Sequence, residues 1–165
     1  MIAKFFLGIA IVAFTTFCGY LLGNKYRKRK LFFTQWTLFN ERFLNEISYY
    51  RNPLQDFFVK YSYKGEFEYL LQRFLECVKD RQSLKNNLIY ETDFNFIKAD
   101  EKVFIEDYFA MLGKGDSSSQ KNHFSTYKNS LFELEKQATE TCKKYVDLYI
   151  KLGFLFGLFI LILIL

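Results

Sequence analysis

The sequence has 165 residues, of which 50% are hydrophobic, 21% aromatic and 25% charged, and its formal net charge is +5. This length accommodates one domain with anchoring segments but excludes two globular domains. With 21 Phe, 12 Tyr and a single Pro, the composition argues against extended disorder and favours a compact helical domain.

The positive charge is concentrated beside apolar segments. Outside residues 31–148, the basic residues are Lys4, Lys151 and a cluster of five, so residues 31–148 hold 16 of the 23 basic and all 18 acidic residues. We name the five residues the basic cluster: Lys25, Arg27, Lys28, Arg29 and Lys30. The region between the two ends is therefore almost neutral, and its charge does not favour nucleic acid as a partner.

The N-terminal segment is predicted to be an uncleaved transmembrane helix over residues 1–24. Residues 5–23 are uncharged and would form roughly 28 Å of helix, against a hydrocarbon core of about 30 Å. A secretory signal is the alternative, but Phe17 before Cys18 makes a poor lipoprotein site. The basic cluster follows the span directly, so the positive-inside rule predicts a cytoplasmic location for this end and an extracytoplasmic N-terminus. The cluster is also placed to contact anionic lipid headgroups.

Residues 25–148 are predicted to form a cytoplasmic helical bundle. Apolar residues at helical spacing predict helices over residues 31–50, from Pro53 to Gly65, and over residues 66–80. A packed turn is expected within residues 81–97, followed by a helix that Asp100 caps and Gly113 ends. The positions predicted to face the core are Phe32, Trp36, Phe39, Phe43, Ile47, Tyr50, Leu54, Phe57, Phe58, Tyr61, Phe67, Leu70, Leu71, Phe74, Leu75, Val78, Val103, Phe104, Tyr108 and Leu112.

Residues 116–165 are predicted to form one long helix that begins at Asp116 as its N-cap. Apolar residues form a single stripe along it, and beyond Lys151 every face becomes apolar. Residues 149–165 are therefore predicted to form a C-terminal transmembrane helix, although they supply only about 25 Å. With this second span, both termini are expected outside the cytoplasm.

Glycines four residues apart occur in each predicted span: Gly19 and Gly23 in the first, Gly153 and Gly157 in the second. Small residues at this spacing let helices approach closely in lipid, so contact between the two spans is a hypothesis alongside the ordinary abundance of glycine in spans.

No candidate catalytic, metal-binding or cofactor-binding residues emerge. The segment Gly113-Lys-Gly-Asp-Ser-Ser-Ser lacks the spacing of a phosphate-binding loop, and His123 has no catalytic partner nearby in sequence. Three widely separated cysteines argue against a disulfide framework and are typical of a reducing compartment.

Four stretches in order resemble the stage III sporulation protein AB family of endospore-forming bacteria: the N-terminal span, residues 46–54, residues 112–120, and residues 151–157 with the apolar tail. Residues 55–97 match the family only loosely. The family's central pattern is filled by Leu112, Gly113, Asp116 and Gln120.

The resemblance implies a component of the channel-like complex between mother cell and engulfed forespore. Its soluble domain is expected to be similar to the cytoplasmic bundles of platform proteins in type II secretion and type IV pilus machines. The expected function is a non-enzymatic platform in the mother-cell membrane that links a cytoplasmic motor ATPase to other membrane channel components. No nucleic acid, small-molecule substrate or cofactor is expected. A membrane-anchored adaptor or sensor outside sporulation is one alternative, and an enzyme is a second.

Overall fold

The computed structural model describes residues 2–49, 54–79 and 94–164. In these ranges the regular structure is helical and contains no strand, which confirms the all-α fold class. The helices are α1 (Ile2–Leu22), α2 (Asn24–Tyr49), α3 (Leu54–Lys60), α4 (Glu66–Lys79), α5 (Ala99–Ala110) and α6 (Ser117–Ile164). Pro53, the predicted start of the third helix, and most of the predicted packed turn lie outside the described residues.

The chain divides into two compact units. Met1–Arg27 and Ala138–Leu165 form the first, which we name the helix pair, and Lys28–Gln137 form the second, which we name the helical bundle. The predicted boundaries after residues 24 and 148 remain predictions.

The core of the helical bundle is aromatic and is built around α2. Its predicted positions Phe32, Trp36, Phe39 and Phe43 are buried as expected. The ring of Trp36 lies 5.2 Å from that of Tyr108 on α5, centroid to centroid. Edge-to-face pairs at such distances suit the charge distribution of aromatic rings. Phe39 makes similar contacts with α3 and α4, through Phe57 at 5.4 Å and Phe67 at 5.6 Å.

The prediction that Gly65 ends the third helix is wrong. Helix α3 ends at Lys60, and Gly65, with φ +65°, directly precedes α4. The intervening backbone is held by side chains instead, because Tyr63 N–H donates to Glu68 Oε2 (2.8 Å) and Lys64 N–H donates to Gln35 Oε1 (3.0 Å).

The prediction that Asp100 caps the next helix is also wrong. Helix α5 begins two residues earlier than expected, with Lys98 as its N-cap. The Lys98 N–H donates to Glu101 Oε2 (3.0 Å), so the glutamate three residues into the helix satisfies a free backbone donor.

The buried face of α5 is shifted from the predicted one. Val103 is 58% exposed, whereas Ile105 and Phe109 are fully buried. Val78 of α4 was likewise predicted to be buried but is 52% exposed, and Cys77 takes the buried position.

Candidate functional site

The helix pair turns large apolar side chains outward. Two of the described helical stretches, one in α1 and one in α6, are long and apolar enough to cross a membrane by length and composition. The exposed side chains include Phe6, Phe14, Phe17, Phe154, Phe156 and Phe159. An apolar exterior of this kind matches lipid rather than water.

Inside the helix pair, α1 and α6 meet at glycines. A Cβ atom on Gly153 would lie 2.5 Å from the Thr15 carbonyl oxygen, and one on Gly19 would collide with the Tyr149 carbonyl oxygen. A Cβ on Gly157 would meet the Thr15 hydroxyl oxygen. These glycines therefore permit a backbone approach that any larger residue would push apart.

Gly23 is less tightly enclosed, since the nearest atom to its missing Cβ is Val146 Cγ2 at 3.2 Å. It occupies the single position between α1 and α2. Sequence reasoning missed Gly8, where the three atoms nearest to a Cβ would all belong to the side chain of Leu161.

The polar groups within α1 are satisfied locally. Thr15 Oγ1 donates to the Ile11 carbonyl oxygen (3.0 Å), and Thr16 Oγ1 donates to that of Val12 (2.7 Å). Hydroxyls bonded in this way are compatible with a lipid environment.

The basic cluster is divided between the two units, with Lys25 and Arg27 in the helix pair and the other three cations in the helical bundle. In the helix pair, Arg27 donates to the Tyr20 carbonyl oxygen (2.8 Å) and its guanidinium lies 3.8 Å from the centroid of the Tyr20 ring. Lys25 is exposed. An aromatic stack lies beside these cations, with the Tyr26 ring parallel to that of Tyr145 at 4.9 Å. Aromatic and basic residues beside an apolar span are typical of a membrane–water interface.

The remaining three cations of the basic cluster belong to the helical bundle. Lys28 pairs with Glu66 (2.6 Å), and Lys30 is exposed. Arg29 is only 7% exposed and pairs with Glu101. Its burial keeps Arg29 away from the surface that headgroups can reach.

The motif Leu112–Gln120 forms the turn between α5 and α6. Leu112 is buried, and Gly113 and Gly115 adopt left-handed conformations with φ +78° and +80°. Asp116 Oδ1 accepts a hydrogen bond from Ser119 N–H (3.1 Å), and Gln120 N–H donates to the Asp116 carbonyl oxygen (3.0 Å). Hydrogen bonds from Ser119 lower the pKa of Asp116. The four motif residues thus all belong to the turn that connects α5 to α6 and to the first turn of α6.

A buried polar contact that sequence reasoning missed joins three helices of the helical bundle. The Tyr108 hydroxyl donates to Asn40 Oδ1 (2.9 Å), and Asn40 Nδ2 donates to the Phe124 carbonyl oxygen (3.3 Å). Complete burial raises the pKa of Tyr108 well above its usual value. Asn40 lies 68 residues from Tyr108, so no local spacing indicates the contact.

His123 lies against the rings of Phe124 and Tyr127 and is half-buried. Burial lowers the pKa of its imidazole. Among the described residues, no group of three or more His, Cys, Asp and Glu side chains is placed to hold a metal ion.

These features define a helical protein with an apolar helix pair, a helical bundle with an aromatic core and a glycine-rich turn between its last two helices. The family model of stage III sporulation protein AB matches residues 4–165, and the chain belongs to this family. No curated protein and no solved structure matched the chain. Membership of the family gives the protein a role in stage III of sporulation.

Proposed function

We propose that this protein is a non-enzymatic membrane platform in a secretion-like channel complex between mother cell and forespore. In this role it couples a cytoplasmic motor ATPase to ring-forming membrane components. The observation that carries the proposal is the helix pair, which has an apolar exterior and close packing at Gly19 and Gly153. Two spans give the intervening helical bundle two attachments to one membrane, as a platform requires.

The proposed orientation places the helical bundle in the mother-cell cytoplasm and both termini outside it. Positive charges beside the apolar stretches support this orientation on both helices of the pair. Lys25 lies on α2 directly after the first stretch, and Lys143 and Lys144 are exposed on α6 before the second. Cytoplasmic flanks of membrane spans carry an excess of such residues.

The bonding of the buried polar groups in the helical bundle favours a scaffold role over an enzymatic one. The buried Asn40, Tyr108 and Glu101 side chains each bond to a group within the bundle. Groups committed to internal bonds rigidify a core and are not presented to a substrate. Family membership likewise favours the sporulation role over a general adaptor.

The proposal is tested by the position of the motor ATPase in sporulating cells. A fluorescent fusion of the ATPase is expected at the mother-cell membrane when the full chain is present and dispersed in the cytoplasm when the chain is deleted. A version lacking the first 24 and the last 17 residues serves as the control, because it should leave the ATPase dispersed. Membrane localisation that persists without the chain would overturn the proposal.

A further inference from the structure

A cleft of about 480 Å³ opens on the helical bundle between the first turn of α5 and the middle of α6. Its lining includes Asp100 and Phe104 from α5 and Glu133, Leu134 and Gln137 from α6. The carboxylates of Asp100 and Glu133 are exposed, whereas Phe104 and Leu134 are half-buried. The cleft thus combines an apolar surface with acidic groups open to solvent.

The described residues do not compensate the negative charge of this cleft. Glu101 also lines the cleft, but its carboxylate forms an ion pair with Arg29 and accepts a hydrogen bond from the Lys98 N–H. Among the residues that the structure describes, no lysine or arginine lines the cleft. Within the described part of the chain, Asp100 and Glu133 have no ion-pair partner. An occupant that supplied no positive charge would therefore have to desolvate two carboxylates without compensation.

An arginine side chain meets these requirements better than other groups. Its guanidinium is planar and weakly hydrated, stacks on aromatic rings and donates paired hydrogen bonds to carboxylates. A lysine ammonium is a compact, strongly hydrated charge that cannot stack on an aromatic ring as a planar guanidinium does. The volume of about 480 Å³ falls in the range that holds a group larger than one side chain, so apolar neighbours of the arginine would also contact Leu134.

We propose that this cleft docks a segment of a partner protein that presents an arginine flanked by apolar residues. The guanidinium stacks on Phe104 and pairs with Asp100 and Glu133. The inference rests on the proposed platform function, which requires a docking surface for a cytoplasmic partner.

The binding test uses the full chain in nanodiscs of zwitterionic lipid. The probes are the peptide acetyl-Leu-Arg-Leu-amide and its citrulline analogue, a neutral isostere of arginine, followed by NMR shifts of the Leu134 methyl groups. The arginine peptide is expected to bind, with an affinity that falls as salt rises. Asp100→Asn with Glu133→Gln should weaken binding at least tenfold.

The matched control is Asp107→Asn with Glu140→Gln, which removes two exposed carboxylates from the same helices outside the cleft. The affinity of this control for the arginine peptide should stay within twofold of that of the unmodified chain. Thermal unfolding should verify that both double variants fold. The proposal is overturned by the absence of binding, by equal binding of the citrulline peptide, or by equal weakening in the control.

A sporulation assay separates this inference from the proposed function. If the ATPase depends on the chain for its position but the Asp100→Asn/Glu133→Gln variant sporulates normally, the docking inference fails and the platform function stands. If the variant alone impairs sporulation while the ATPase stays at the membrane without the chain, the docking inference stands and the proposed coupling fails.

Discussion

The neighbours Lys28 and Arg29 lie in very different environments. The side chain of Lys28 is 48% exposed and pairs with Glu66, whereas that of Arg29 is 9% exposed and pairs with Glu101, which is 3% exposed. Exposed ion pairs stabilise proteins little because water and salt screen them. Removal of one partner from a buried pair leaves the other charge without compensation.

Arg29→Met is therefore expected to lower the free energy of unfolding by about 3–5 kcal/mol, because it leaves the buried Glu101 carboxylate without its cationic partner. Lys28→Met, the matched control, should cost less than about 1 kcal/mol. Urea unfolding of the full chain in detergent, followed by circular dichroism, measures both losses. Similar losses for the two variants would contradict the buried pair.

Sequence reasoning could place these cations in one cluster but could not distinguish them. The partner of Arg29 lies 72 residues away, and that of Lys28 lies 38 residues away. Local spacing carries no information about such contacts, so only the assembled bundle reveals which cation is buried.

At the scale of elements, a helix start was predictable where a single side chain accepts a hydrogen bond from a backbone N–H a few residues later. Asp116 precedes α6, and its carboxylate bonds the Ser119 N–H three residues later, as its sequence position suggested. Asp100 was misassigned because Glu101 reaches back to the Lys98 N–H, which places the start of α5 before the aspartate. Gly65 was expected to end α3 but instead precedes α4, where Glu68 reaches back to the Tyr63 N–H. Neither contact is indicated by a glycine or an aspartate alone.

The Asp116 cap predicts a pH dependence. Because hydrogen bonds from Ser119 lower the pKa of Asp116 in the folded state, its contribution is present above the unfolded pKa of about 3.9 and is lost as the pH falls through the folded pKa. Asp116→Ala removes both cap and charge, so its thermal midpoint should lie below that of the unmodified chain at neutral pH.

The same measurement at acid pH provides the control. The difference in midpoint between the unmodified chain and Asp116→Ala should shrink as the pH falls below about 4. Asp116→Asn keeps a capping side chain without the titrating charge, so its cap should not weaken with pH in this way. A difference between Asp116→Ala and the unmodified chain that stays constant with pH would contradict a role for the ionised carboxylate.

The helix pair predicts that alanine is not tolerated at its glycines. Gly153→Ala would place a Cβ 2.5 Å from the Thr15 carbonyl oxygen, and such overpacking costs about 1–3 kcal/mol. Ala13→Val, which adds two methyl groups at an exposed position of α1, is the control and should be nearly neutral. Thermal unfolding in detergent compares them, and equal stability would argue against close contact of α1 with α6.

At the scale of the whole molecule, the helical class followed from hydrophobic periodicity, and the two apolar ends followed from uninterrupted apolar runs. The aromatic core of α2 also followed, because Phe32, Trp36, Phe39 and Phe43 repeat at helical spacing. The buried face of α5 followed only in part. Tyr108 is buried as predicted and packs against Trp36 and Phe124, but Val103 is exposed and Ile105 and Phe109 are buried instead, because apolar residues occur on several sides of this helix. Contact between the spans remained one of two readings, because glycine spacing alone does not identify a partner helix.

The central claim is that two spans hold a cytoplasmic helical bundle to one membrane, and its most direct test is thiol labelling in intact vegetative cells that express the chain, where the outer face of the membrane is open to the medium. Cys18, Cys77 and Cys142 are first replaced by alanine, and single cysteines are then introduced at Ile2, at the exposed Ser118 and immediately after Leu165. A membrane-impermeant maleimide should label the two terminal cysteines in intact cells and the cysteine at position 118 only after lysis. Labelling at position 118 in intact cells, with both termini protected, would contradict the account.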